Sequence, residues 1–495
     1  ICQKGETQFF LSSPFNEAKY RALLEGLEIS VVNLSYVRLN DVFRNDSIYF
    51  LKQFLREERI IRDLKFNTLK NLNVEIKSFG AYSLNNDVEY VEKGIPFIRG
   101  VNMKNGRIQF DDMIFITEKA NQLLWKSEVK PEMILLSMSG TIGEVAIASK
   151  NWKYPVNSNQ DIAKIDTNGF INPYYLYTFL MSKFGQNYLK REARGSVQQH
   201  VFLSQMENFA IPVISDEIVK TIETTIKLSE EKIIFSETKY SQAEALLLET
   251  LNLKDFKPST EKVNVKSFKD SFLTTGRLDA EYYQKKYEDY LKLVQTYKNN
   301  YEPLEKACLL KDANLNPDEK QEYKYIELAD IGKSGDINSC TFAYGNELPS
   351  RARRKVNTDD VIISSIEGSL GSCALVTKEY DEALCSTGFY IINSKKINSE
   401  TLLVLFKSEL MQNILKQGCS GTILTAINKN EFLKIPIPII ETKTQQQISE
   451  LIEESFRLKK ESEELLELAK RMVEVAIEEG EEKAMGMMKG NRKIV

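Results

Sequence analysis

Histidine occurs once in the 495 residues, as His200, so metal or triad chemistry built on imidazole is poorly supplied. The six cysteines (Cys2, Cys308, Cys340, Cys373, Cys385, Cys419) are scattered, with no C-x-x-C pair and five in the second half. That argues against structural zinc and a disulfide framework, and fits reduced thiols in a cytoplasm. No run approaches the roughly 18 apolar residues of a membrane-spanning helix, and no signal-peptide pattern opens the chain. No G-x-x-x-x-G-K-[ST] loop and no glycine-rich nucleotide fingerprint is present. Net charge is only −4, too little basicity for indiscriminate nucleic-acid binding over the whole surface. The charge is unevenly placed, however. Acids gather at Glu461–Glu467 and Glu478–Glu482, bases at Lys190–Arg194 and Arg351–Lys355. This segregation is compatible with local DNA contact and equally with ordinary solvated charge.

What the sequence does have is length for two to four domains, and two long uninterrupted helical patterns. Ile218–Leu253 spans 36 residues without Pro or Gly. Apolar and small residues recur at Ile218, Ile222, Ile226, Ser229, Ile233, Ser236, Tyr240, Ala243, Leu247 and Leu251, near a heptad seam. At 1.5 Å per residue the helix would extend about 54 Å. Gln445–Gly480 repeats the pattern through Ile448, Leu451, Ser455, Leu458, Ser462, Leu465, Ala469, Met472 and Ala476. The two helices read as a spacer between globular heads, with their seams packed on each other.

Internal repetition supports two heads. Phe97-Ile98-Arg99 corresponds to Tyr325-Ile326-Glu327, Pro131–Ser137 to Asp359–Ser365, and Gly140-Thr141-Ile142-Gly143 to Gly368-Ser369-Leu370-Gly371, all at one offset (368 − 140 = 228). Phe209–Pro212 answers Leu433–Pro436 at offset 224, which puts an insertion in the preceding loop (211 − 195 = 16 against 435 − 421 = 14). Arg277–Tyr283 echoes Arg44–Phe50. Ala22–Ile29 matches Leu246–Leu253, so the chain opens on what reads as the last turns of a long helix. Strands are expected near Glu89–Arg99, Met133–Met138, Glu144–Ala148 and Ile162–Ile165, then a helix at Pro173–Arg191. The second half gives Tyr323–Leu328, Val361–Ser365, Cys373–Thr377 and Gly388–Ile392, then a helix at Ser399–Gln417.

The duplicated order of strand, G-[ST]-[IL]-G, strand, helix, G-[ST]…I-P and long helix resembles the specificity subunit of Type I restriction–modification systems. The segments that carry the likeness are Gly140–Gly143, Gly195-Ser196 through Ile211-Pro212, Gly368–Gly371, and Gly421-Thr422 through Ile435-Pro436. Gly276–Tyr283 also resembles the opening of a second recognition domain. The resemblance implies an α+β chain with two repeated target-recognition domains joined by two long antiparallel, coiled-coil-like helices. Its divisions would be 1–38 helix tail and linker, 39–214 first recognition domain, 215–256 first long helix, 257–442 second recognition domain, 443–485 second long helix and 486–495 tail. It further implies double-stranded DNA as target, two adenine methyltransferase subunits docked on the helices, and motor–nuclease subunits for restriction; the residues themselves supply no motif for a cofactor, a metal or a membrane span. The opening helix tail raises an alternative, the specificity portion of a fused restriction endonuclease–methyltransferase. A coiled-coil adaptor without DNA contact is a third reading.

Catalytic residues are not in evidence. An adenine methyltransferase needs an Asn/Asp-Pro-Pro-aromatic loop, and Asn172-Pro173-Tyr174-Tyr175 is better read as a helix start. For DNA contact the richest stretch is Arg191–His200, with Arg191, Arg194, Ser196, Gln198, Gln199 and His200, since Arg and Gln can read guanine and adenine edges. Its counterpart Lys416–Asn428 offers Ser420, Thr422 and Thr425 and less charge, so the two half-sites should differ. Arg351, Arg353, Arg354 and Lys355 form the densest basic cluster, suited to phosphate anchoring or plain surface charge. Thr141 and Ser369 sit in turns that read either as tight hairpins or as phosphate-binding turns. Arg99, Lys104 and Lys333 complete the candidate DNA contacts, and Leu246, Leu248 and Leu466 are candidate outward positions for a methyltransferase.

Overall fold

The computed structural model describes residues 16–38, 44, 46–78, 88–110, 112–195, 198–421 and 425–490. It divides into two compact units, Ile1–Ser229 with Glu463–Val495, and Glu230–Ser462. Each unit thus combines one globular head with a portion of both long helices.

In the first unit an antiparallel sheet runs in the order 145–147, 134–137, 162–166, 75–77. A second sheet is built on the parallel pair 95–98 and 156–158, with 114–116 and 128–129 antiparallel on either side and 90–91 at the edge. The second unit repeats both. Its first sheet reads 373–375, 361–364, 389–393, 309–311. Its other sheet is built on the parallel pair 322–326 and 384–386, flanked by 341–344 and 352–355. Central strands Ile134–Ser137 and Val361–Ser364 are buried on both faces, which explains why their sequences are apolar runs and not alternations.

The registers correct the repeat alignment. Ser137 pairs with Ile162 and Ser364 with Phe389, so Ile134 corresponds to Val361, an offset of 227 and not 228. The burial pattern agrees: Ile134 and Leu136 face the helices as Val361 and Ile363 do, whereas Leu135 and Ile362 face the second sheet. A shift of one would exchange the faces of every residue in the strand. The glycine turns had forced the error, because the second turn is one residue longer: Ser137 N–H bonds to Glu144 O, but Ser364 N–H to Ser372 O. Likewise Pro212 pairs with Phe66 and Pro438 with Tyr301, so Ile211 corresponds to Ile437. The separations from glycine are then equal (211 − 195 = 16; 437 − 421 = 16), and the inferred insertion disappears.

The helix expected at Pro173–Arg191 is two helices, Pro173–Met181 and Lys183–Glu192; its counterpart is Ser399–Lys407 and Glu409–Gly418. Ser182 and Ser408 break them with extended backbone while each hydroxyl donates to a carbonyl three residues back. Asn172 does cap a helix: its Oδ1 accepts from Tyr174 and Tyr175 N–H, with Pro173 in the first turn.

The long helices run Asp216–Thr250 and Thr442–Glu478. Within the second unit they are antiparallel: Lys232 meets Glu461 at 2.6 Å, and Ser236 and Ser455 each donate to the other's carbonyl at 2.8 Å. In the first unit Ile218, Ile222 and Ile226 join Leu466, Met472, Val473 and Ile477 in the same cluster as the head's own Phe179, Phe184 and Phe209. The seams are therefore shared with the head cores and are not reserved for helix–helix contact. Each of these isoleucines is at most 4% exposed, a burial worth about 1.5–3 kcal/mol apiece.

Candidate nucleic-acid interface

Three loops meet along one rim of each head. In the first unit the hairpin turn after Ile134–Ser137 lies against the loop that leaves helix Lys183–Glu192. Val201 N–H bonds to Met138 O at 3.0 Å, and Ser139 bridges to His200. Arg194 and His200 exchange both backbone bonds, closing the loop on itself. Gly195 makes that closure possible: its φ is +122°, and a Cβ there would lie 2.1 Å from Gln198 O. Gln198 is exposed and donates to Ser139 Oγ at 2.8 Å; Gln199 is exposed, and His200 packs on Phe202 with centroids 4.8 Å apart. The third loop follows strand Ile95–Ile98. There Arg99 donates to Asp112 O at 2.8 Å, and the position of Gly100 approaches Ser137 and Thr141. Thr141 is exposed.

The second unit builds the same rim from different side chains. Ile427 N–H bonds to Ser365 O, Glu367 N–H to Thr425 O, and Ile366 bridges to Ala426. Cys419-Ser420 pairs with Ala426-Ile427, so Ser420 occupies the place of Arg194 and Ala426 that of His200. Glu327 stands where Arg99 does, its carboxylate 3.0 Å from Arg351. The rims are alike in backbone and unlike in charge.

Both turns are held from behind. Gln186 Nε2 donates to Gly143 O and Leu180 O, and Gln412 Nε2 to Leu370 O and Phe406 O. Sequence reasoning missed this pair, although the two glutamines stand at the offset the helices share (412 − 186 = 226). The hairpin reading of both glycine turns holds. Ser369 lies against Ser364 Oγ at 2.9 Å, which ties it into its turn.

Several expected contacts lie elsewhere. Arg191 is 4% exposed: Nη1 pairs with Glu58 at 2.8 Å, Nε donates to Tyr49 O, Nη2 donates to Tyr36 Oη, and the guanidinium covers the Tyr49 ring. It is a core ion pair and not a DNA contact. The carboxyl of Glu58 is desolvated by burial, but Tyr36, Arg191 and Arg62 outweigh that and hold it below the ordinary range. The basic cluster of the second unit is not a free phosphate anchor either. Arg351 faces Glu327, Lys355 pairs with Glu382 at 2.6 Å, and Arg354 turns inward to Phe389 O. Arg353 donates to Ser350 O and Asn316. Lys104 and Lys333 are exposed on hairpins anchored to the long helices through their neighbours, Arg107 to Ser229 Oγ at 2.8 Å and Asp336 to Lys459. Leu466 is buried at 8% exposure and cannot meet a partner; Leu246 and Leu248 are half-buried. Ser196 and Thr422 lie outside the described residues.

Among the described residues no cluster of His, Cys, Asp and Glu is placed to hold a metal, and no helix is long and apolar enough to cross a membrane. Burial pushes the thiols of Cys308, Cys373, Cys385 and Cys419 up to about 12, so they are protonated and inert at neutral pH.

Residues 64–245 and 304–468 match the family described as Type I restriction modification DNA specificity domain. The chain belongs to that family. The two matches cover well over half of the chain, and each spans most of one head and much of the long helix that follows it. Among solved structures, the specificity (S) subunit of a Type I system from M. genitalium is 13% identical, with a TM-score of 0.43 over 84% of this chain and 96% of that one. The HsdS subunit from Thermoanaerobacter tengcongensis is 13% identical over 84% and 97%, with a TM-score of 0.28. The type IIG restriction endonuclease BpuSI is 12% identical over 37% of this chain and 29% of its own length, with a TM-score of 0.26.

Proposed function

We propose that this chain is the non-catalytic specificity component of a cytoplasmic Type I restriction–modification complex. One head, within 39–214, reads one half of a bipartite DNA site, and the other, within 257–442, reads a different half. The long helices carry adenine methyltransferase subunits, with Leu246 and Leu248 as the apolar positions left for contact, and motor–nuclease subunits complete the restriction assembly. The observation that carries this reading is the pair of rims with matched backbone and contrasting chemistry. Arg99, Arg194, Gln198, Gln199 and His200 on one face Glu327, Arg351, Ser420 and Thr425 as counterparts on the other. Long polar side chains that present paired donors and acceptors suit base edges; short hydroxyls suit phosphates and looser base contact.

Modified-base sequencing of a methylation-free host expressing this chain with its methyltransferase tests the proposal. The expected result is an adenine-methylated motif of two unlike half-sites separated by unspecified bases. A palindromic or uninterrupted motif overturns it.

A further inference from the structure

The sequence R-x-D-x-x-Y occurs at Arg44–Tyr49 and again at Arg277–Tyr282. In both units it closes on the same place, the end of the second head helix. Arg44 pairs with Asp46 at 2.8 Å, lies over the Tyr49 ring at 4.6 Å, and donates to Arg191 O at 2.8 Å and Ala193 O at 3.5 Å. Arg277 pairs with Asp279 at 2.6 Å, lies over the Tyr282 ring at 4.4 Å, and donates to Cys419 O at 2.8 Å and to Gln417 O and Gly418 O at 3.5 Å. The helix end reciprocates: Arg191 Nε donates to Tyr49 O at 2.9 Å, and Gln417 Nε2 to Tyr282 O at 3.1 Å. Two segments about 140 residues apart in sequence are thereby clasped from both sides.

The chemistry suits the position. The last carbonyls of a helix have no intrahelical donor and carry partial negative charge, so a guanidinium fork both satisfies and neutralises them. The residue immediately beyond each clasp is the first of the rim loop, Arg194 in one unit and Ser420 in the other. We infer that Arg44 and Arg277 are positioning residues, which fix the angle at which each rim loop leaves its helix and hence how its side chains are presented to DNA. This rests on the rims being the DNA-reading surface.

Two arms test it with Arg44→Lys and Arg277→Lys, which keep the charge opposite the aspartate but remove the fork. Hydrogen exchange on the purified full chain should show R44K raising exchange about tenfold at the amides of Arg194, His200 and Val201, with strand Ile134–Ser137 unchanged. R277K should do so at the paired amides of Ser420 and Ala426 and at Ile427, with Val361–Ser364 unchanged. In modified-base sequencing R44K should relax base preference in one half of the motif and R277K in the other. Unchanged exchange at these amides, or both half-sites blurred equally by either variant, overturns the inference. Should the wild-type motif prove uninterrupted, the bipartite reading falls on its own, while the exchange arm still decides whether the clasp holds the loop.

Discussion

At the scale of single residues, burial decides roles that residue type alone misassigns. Arg191 was legible as a cation next to a polar loop; its partner Glu58 lies 133 positions earlier, so only the fold could show the pairing. Arg191→Ala should cost about 3–5 kcal/mol in urea unfolding, since it strands a buried carboxylate. An unchanged midpoint would mean that Glu58 is solvated. Lys164 is the opposite case. It is 1% exposed, its Nζ donates only to Ser158 Oγ and Ile162 O among the described residues, and burial pulls its pKa down to about 7. In the second unit Ile391 takes this strand position. The folded form therefore binds fewer protons than the unfolded form between pH 7 and the ordinary lysine range, so stability rises with pH across that window. Lys164→Met should remove most of this slope and raise the melting temperature at pH 7 by roughly 3 °C or more. Melting curves taken between pH 7 and 10 check both.

At the scale of elements, the strands and long helices were readable because their periods differ and their apolar runs are unbroken. Register was not readable. Glycine turns of unequal length drew the alignment one residue off, and the doubled Pro436-Ile437-Pro438 offered a false match two residues early. Hydrogen-bond pairing settles both, because a strand buried on two faces has only one register that suits each cluster. The rim loop depends on a single backbone conformation. Gly195→Ala adds a Cβ where Gln198 O already stands. It should weaken binding to the cognate duplex by about tenfold or more and lower the melting temperature by about 2–10 °C, because loop strain of this kind costs about 1–3 kcal/mol. Equal affinity in a fluorescence-anisotropy titration would remove the loop from the interface.

At the scale of the whole molecule, the asymmetry of charge between rims should appear in the salt dependence of binding. Among the described residues Arg99 and Arg194 form no ion pair with a carboxylate, whereas Arg351 and Lys355 are already paired with Glu327 and Glu382. Replacing Arg99 and Arg194 by Ala should lower the slope of log affinity against log salt by roughly 1–2. The same change at Arg351 and Lys355 should alter it less. Equal effects would show that the acidic partners let go when DNA binds.

The first compact unit takes in both the opening 229 residues and the stretch from Glu463 onward, while the second is the intervening span. A gene severed at the codons for 253–257 would thus give two polypeptides, each missing a ridge of its own interior and each bearing the ridge the other lacks. Made singly, they should be recovered as aggregates; made together, they should rebuild a working reader without a peptide bond between them.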